Sequence, residues 1–220
     1  MSITIRPVRP EDGPALYEIV KHPDVAPTLL QLPSMEYRET DQWLKERKAG
    51  HNRLVAVKDG RTVGSVSLLQ EQRPRRVHSG KLGIMVHPDY WGSGVGTALM
   101  EAILDLADNW LNLLRVELDV FSNNPRAMHL YQKFGFVLEG TKRKGVFGDG
   151  MFLDEHVMAR LRDNMPAVEP GKAPEFTRRT DVTDITIRPL RVEDADALHA
   201  IISNPAVARS LNQIPSLEVI

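Results

Sequence analysis

Residues 90–100 read YWGSGVGTALM: three glycines alternate with Ser93 and Val95 and run into a series of good helix formers. A glycine loop entering a helix exposes backbone amides and the positive end of the helix dipole, which together hold an anion. The familiar nucleotide loops need more than glycine. A P-loop requires Lys and then Ser or Thr after its last glycine, whereas Gly96 is followed by Thr97 and Ala98. A dinucleotide fingerprint requires two residues between its second and third glycines, but only Val95 separates Gly94 from Gly96. What remains is an anion-holding helix start of another kind, or a tight turn with no ligand.

The flanking sequence sets this loop in an α/β domain of mixed sheet. Before it, KLGIMV (81–86) reads as a strand, and after it come a helix over 94–111, the strand RVELDVF (115–121) and a helix over 125–134. Two further strands are expected near 136–142 and 151–160. Towards the N terminus, ITIR alternates as a strand, Pro10 to Asp12 supply helix-start chemistry for a helix over about 11–21, and 35–49 reads as a second helix. RLVAVKDGRTVGSVSLLQ is a hairpin turning at Asp59-Gly60. The order is β-α-α-β-β-β-α-β-α-β-β.

A repeat frames the domain. ITIRPVRPEDGPALYEIVKHPDVAPTLLQLPSME from Ile3 aligns without a gap over 34 positions with ITIRPLRVEDADALHAIISNPAVARSLNQIPSLE from Ile185, and more than half are identical. Such self-similarity marks a duplicated unit. The proline-bearing stretch 162–184 reads as a linker, so the expected division is a domain at 1–161, a linker, and a partial β-α-α repeat at 185–220. A piece this short cannot bury its own apolar face, and packing on the first domain or exchange within a homodimer is expected of it.

Composition narrows the function. The 28 Lys and Arg against 29 Asp and Glu give a formal net charge of −1, a balance that favours neither nucleic acid nor an acidic membrane. The absence of cysteine excludes disulfides, thiol nucleophiles and cysteine metal sites, and no metal is expected. No signal-like stretch opens the chain and no run approaches the roughly 20 apolar residues of a membrane span. A cytoplasmic location is expected.

VHPDYWGSGVGTALM (86–100), followed about 30 residues later by VFSNNPRAMHLYQKFGF (120–136), resembles the paired motifs of the GNAT superfamily of acyl-CoA-dependent N-acetyltransferases. The resemblance covers roughly residues 3–161. It implies a GNAT-like acyl-CoA N-acyltransferase fold, its sheet splayed between the fourth and fifth strands, 81–86 and 115–121. The co-substrate is then acetyl-CoA, with its pantetheine arm in the slot and its pyrophosphate on the loop. Gly83 or a bulge near Met85 would help to open that slot. The family's loop begins with Gln or Arg, and Trp91 departs from it, while Gly94 and Gly96 match. The cofactor-binding residues implied are Met85, Val86, Trp91, Gly92, Ser93, Gly94, Val95, Gly96, Thr97, Asn124, Arg126 and Tyr131.

Amide formation from a thioester needs a neutral amine and a protonated leaving thiol. The resemblance assigns thiol protonation to Tyr131 and cofactor contact to Asn124; a core aromatic and a helix cap ahead of Pro125 are the alternative readings. The strand 81–86 has no carboxylate to act as base. Candidates are His78, whose ordinary pKa is near 6.5, and Glu71, with Glu117, Asp119 or a water relay as further options. Arg75, in QRPRR (72–76), is a candidate clamp for an acceptor carboxylate, or part of a solvated turn. Gln31 and Ser34 lie where the resemblance puts an acceptor wall. QRPRR, DNWL (108–111) and VELDVFSNN are most similar to bacterial amino-acid N-acetyltransferases of the YhhY type, implying a small-molecule amine, a free amino acid, as acceptor. An acyl-CoA-binding module without activity, or an enzyme acting on a protein N terminus or an aminoglycoside, are the other readings.

Overall fold

The computed structural model describes residues 3–32, 34–46, 48–162, 192–204 and 207. They fall into two compact units, 1–72 with 76–162, and 73–75 with 163–220. In chain order the elements of the first are β1 (Ile3–Pro7), α1 (Gly13–Lys21), α2 (Tyr37–Lys45), β2 (His51–Lys58), β3 (Arg61–Gln70), β4 (Ser79–Val86), α3 (Val95–Asp105), β5 (Arg115–Phe121), α4 (Pro125–Lys133), β6 (Val137–Gly148) and β7 (Met151–Leu161).

The strands form one seven-stranded sheet in the order β1-β2-β3-β4-β5-β7-β6. Every pairing is antiparallel except β4 with β5. Asp59 and Gly60 both take positive φ, 52° and 78°, as a two-residue hairpin of the primed type requires. Asp149 and Gly150 repeat the device between β6 and β7. The mixed sheet and element order expected from sequence are found.

Alternation along the strands sends alternate residues to opposite faces. Val66, Leu68, Leu82, Val116, Leu118 and Val120 meet α3 through Leu99, Met100 and Ile103 in the larger core. On the other face Leu16 and Ile19 of α1 pack with Val25 and Val55. The larger core involves eight or more fully buried aliphatic side chains, each of which contributes roughly 1.5–3 kcal/mol on burial. The entry to α1 is fixed by Asp12, a buried carboxylate that accepts two hydrogen bonds from Arg6 at 2.8 Å, one from the Arg9 amide at 2.8 Å and one from the Thr62 hydroxyl at 2.6 Å. Burial alone would push this carboxyl up; the hydrogen bonds from Arg6, Thr62 and Arg9 outweigh it and hold the pKa below the usual range.

Several boundaries differ from expectation. The first helix splits into a 3-10 turn (Pro10–Asp12) and α1. α2 stops at Lys45, well short of 49, where the Arg53 guanidinium takes up the carbonyls of Trp43, Leu44 and Glu46. The helix expected to run to 111 becomes a π turn over Leu106–Trp110, pinned by Arg160 on the Asp108 carboxylate at 2.9 and 2.7 Å. β6 runs on to Gly148, across irregularities at Leu138/Gly140 and Lys142/Val146. The expected bulge near Met85 is absent: β4 pairs with β3 in unbroken register from Gly80 to Val86, and the break in this part of the sheet falls at Ala56/Val57 in β2.

In the second unit, a 3-10 turn (Val192–Asp194) leads into α5 (Ala195–Ser203). These match Pro10–Asp12 and α1 position for position in the repeat. The expected linker beyond Arg162, and the strand and second helix expected of the second copy, lie outside the described residues.

Candidate active site

β4 and β5 stay paired for three residues only, Ser79 with Arg115, Gly80 with Val116 and Lys81 with Glu117. Gly80 lets the closed end draw tight: a Cβ there would lie 2.9 Å from Leu113 Cδ1 and 3.0 Å from Leu68 Cδ1. Beyond Lys81, β4 follows β3 to Val86 while β5 follows β7 to Phe121. The divergence opens a cleft of about 670 Å³ whose lining runs from Lys81 to Val86 on one side and from Asp119 to Phe121 on the other.

The glycine loop forms one end. Gly92 and Gly94 take φ of 72° and 86°, the left-handed region that side chains enter at a cost of roughly 1–2 kcal/mol. Gly94 is the N-cap of α3, and the first amide to bond back into the helix is that of Ala98, on the Gly94 carbonyl at 3.0 Å. The amides of Val95, Gly96 and Thr97 therefore have no intrahelical acceptor. Gly96 lets α4 come close, since a Cβ would lie 3.2 Å from Leu130 Cδ2. Lys133, at the end of α4, brings its ammonium within 3.4 Å of the Thr97 hydroxyl. Free amides, a helix N terminus and two cations, Arg126 and Lys133, thus gather at one end of the cleft. This is the donor set a pyrophosphate requires.

Trp91 has a defined place there. Its indole N–H donates to the Val86 carbonyl at 2.9 Å, its ring packs against the α1 core, and the Arg126 guanidinium lies 3.6 Å over it. The tryptophan ties the end of β4 to the loop and fixes the direction of Arg126. Ser93 turns away, its hydroxyl donating to the Tyr90 carbonyl at 2.7 Å.

Tyr131 reaches the cleft from α4. Its ring is buried beside Phe136 at 6.0 Å between centroids. The hydroxyl has no protein partner among the described residues, and burial pushes its pKa up to about 12. Asn124 lines the same cleft and caps α4, its carbonyl oxygen accepting from the Ala127 amide at 3.2 Å. Both readings of Asn124 are thus compatible.

On the sheet face opposite α3, Lys81, Asp119 and Glu155 line the cleft. Lys81 bonds Asp119, and the Lys142 ammonium bridges Asp119 at 2.8 Å and Glu155 at 2.9 Å. Burial would raise the Asp119 carboxyl; hydrogen bonds from Lys142 and Lys81 reverse this and hold it below the usual range. A second cavity of about 310 Å³ adjoins, sharing Leu29, Gln31, Gly83, Ile84 and Met85 with the cleft and otherwise lined mainly by Leu16, Val20, Met35 and Trp43, with Glu39 as its one acid.

The structure brings together Met85, Val86, Trp91, Gly92, Gly94, Gly96, Thr97, Asn124, Arg126, Tyr131 and Gln31 around the cleft. Ser93 and Val95 belong to its loop. Glu71 and His78 are not among the lining residues: they sit beside the closed end, where the His78 carbonyl accepts from the amides of Leu114 and Arg115. Ser34 is exposed and lines neither cavity. Arg75, in the turn 73–75, groups with the separate unit. Glu117 is engaged by Arg115 at 2.9 Å and Arg76 at 3.6 Å. Lys81, Lys133, Lys142 and Glu155 carried no local sequence signal. Only strand register and helix packing assemble them.

The chain matches the model of the Acetyltransferase (GNAT) family over residues 15–136. It is 37% identical over 163 residues to the L-amino acid N-acetyltransferase AaaT of Escherichia coli, covering 73% of this chain and 98% of that one. It is 27% identical over 153 residues to the spermidine N(1)-acetyltransferase of the same species, covering 69% and 81%. A GNAT-family acetyltransferase structure from Streptococcus pneumoniae superposes with a TM-score of 0.64 at 28% identity, covering 73% of this chain and 99% of that one.

Proposed function

Because the chain belongs to the GNAT acetyltransferase family and is an acetyl-CoA-dependent N-acetyltransferase, we propose that its acceptor is a free amino acid, whose primary amine attacks directly in a ternary complex. Acetyl-CoA supplies a thioester whose sulfur leaves as a thiolate. The carrying observation is that one cleft joins the amides at the start of α3, which lack an intrahelical acceptor, to the Tyr131 hydroxyl, which has no partner among the described residues.

The amides of Val95 to Thr97, with Arg126 and Lys133, are assigned to the pyrophosphate. Binding energy gained at that remote end holds the reacting carbonyl in place near the acceptor. Tyr131 stays protonated at neutral pH and serves as donor to the sulfur. With its pKa near 12 and an ordinary thiol near 8.5, complete proton transfer would be uphill by about 5 kcal/mol. Tyr131 therefore stabilises the departing sulfur as a hydrogen-bond donor while the C–S bond breaks, and the proton the product thiol carries is balanced by the one the attacking amine gives up. An α-amino group at a chain terminus has a pKa of about 7.7–8.0, and in a free amino acid the neighbouring carboxylate raises it further, so the acceptor must give up a proton before it attacks.

The name of the AaaT relative supports an amino-acid acceptor. The activity is assigned to residues 1–161, since residues 185–220 contain no counterpart of the loop or of Tyr131. Thiol release from acetyl-CoA is the test, with L-amino acids, spermidine, an aminoglycoside and a short peptide as acceptors. Amino-acid-dependent release is expected. Release with spermidine, aminoglycoside or peptide alone would overturn the acceptor, and acetyl-CoA binding without release to any amine would point to a binding module.

A further inference from the structure

We propose that Lys81, Asp119, Lys142 and Glu155 form a cradle for a zwitterion, the lysines taking the acceptor's carboxylate and the acids its ammonium. This deepens the acceptor reading above and rests on it.

The four groups alternate in charge, from Lys81 to Asp119 to Lys142 to Glu155, and sum to zero. The acids are the enclosed members, with side chains 16% and 10% exposed, whereas the lysine side chains are 57% and 51% exposed. Their valences are not exhausted. The Lys81 ammonium spends one of its three N–H groups on Asp119, and Glu155 accepts through Oε2, leaving Oε1 without a partner among the described residues. The outer cations thus present N–H donors, and an inner carboxylate oxygen presents an acceptor, along one chain of linked ion pairs. Asp119 and Lys81 stand on the sheet face opposite α3, and Lys81 is at the closed end of the slot, where β4 last pairs with β5. The adjoining cavity, lined by Leu16, Val20, Met35 and Trp43, would take an apolar side chain.

A polyamine gains nothing here that the lysines do not cancel. Like charges placed against a cation reject it as effectively as good contacts select a partner. The cradle therefore favours a free amino acid over its amide, which keeps the ammonium and loses the carboxylate, and over spermidine.

The test compares L-leucine with L-leucinamide on the wild-type protein and on Lys81→Met and Lys81→Arg. Asp119 retains Lys142 in both variants, and thermal melts verify the fold. The readouts are kcat/KM for acetyl transfer and, separately, equilibrium binding of each compound to the CoA-saturated protein. Wild type should bind leucine more tightly than its amide by about 10- to 100-fold, the usual worth of a hydrogen bond to a charged group, and kcat/KM is compared after correction for the fraction of each amine that is neutral. Lys81→Met should bring that ratio towards one through KM, and Lys81→Arg should restore most of it. Equal use and equal binding of the two compounds by wild type, or a ratio that Lys81→Met leaves intact, would overturn the cradle. If leucine binds preferentially yet no acyl transfer occurs, the transferase reading fails and the cradle stands.

Discussion

Replacing Tyr131 by Phe removes one oxygen and leaves the ring stacked beside Phe136. That hydroxyl has no protein partner among the described residues, so its loss should change stability at pH 7 by about 1 kcal/mol or less. Turnover should respond very differently. A positioned acid contributes roughly 10²- to 10⁴-fold, equivalent to about 2.7–5.4 kcal/mol of barrier. Following thiol release at saturating acetyl-CoA, kcat should fall by that factor while the KM for acetyl-CoA changes little. The same side chain has an alkaline signature. Its folded pKa of about 12 exceeds the unfolded value near 10, so the native state holds the proton more tightly. The corresponding stability is fully present below pH 10 and is lost as pH rises through 12, amounting to about 1.4 kcal/mol at pH 11. Tyr131→Phe should therefore gain on wild type in urea melts between pH 10 and 12. A folded variant with near-normal kcat would refute the assignment of Tyr131 as the acid. Parallel alkaline melts for the two proteins would refute its burial in the protonated form.

Asp12→Ala strands the Arg6 guanidinium and should cost about 3 kcal/mol in denaturant unfolding. Since the Asp12 carboxyl is held below its usual range, its contribution is present above about pH 4 and is lost as pH falls through the folded value, so the variant should show a shallower acid limb. Asn124→Ala removes the cap of α4 and should lower stability by about 1 kcal/mol, measurable as a drop in Tm. Trp91→Phe deletes the N–H that holds the Val86 carbonyl. It should cost about 0.5–1.5 kcal/mol and raise the KM for acetyl-CoA by weakening the seat of Arg126, and an unchanged KM would dissociate that pair from cofactor binding.

Features set by neighbours in sequence were readable from sequence. The hairpin at Asp59-Gly60, the glycine entry to α3 and the cap ahead of Pro125 each depend on a few adjacent residues. The acceptor side did not yield in this way. Lys142 meets Glu155 only because β6 pairs with β7, and it reaches Asp119 only because β7 pairs with β5, relations fixed by strand register rather than by adjacent residues. His78 and Glu71 are candidate bases in the sequence because they flank the basic turn QRPRR, but both sit beside the closed end of the slot, and the direction in which two strands diverge leaves no mark in their own sequences. Trp91 is the converse case: an unexpected residue type whose partner, the Val86 carbonyl, lies five positions away yet is reached only once the loop has folded back.

The duplicated segment separates two kinds of instruction that a protein normally delivers together. Both copies make a 3-10 turn and then a nine-residue helix, and both helices close with an amide bonded three residues back at 3.2 Å, His22 to Ile19 and Asn204 to Ile201. Yet Pro10, Gly13 and Pro14 of the first copy are Val192, Ala195 and Asp196 in the second. The prolines and the glycine are therefore dispensable for setting the start, and the shared Glu-Asp pair followed by Ala-Leu and Ile is sufficient company for it. Burial follows another rule: Ile19 is fully enclosed whereas Ile201 is 56% exposed. Where a helix begins and ends is thus written into the segment itself, while which of its side chains become interior is decided by what it is laid against.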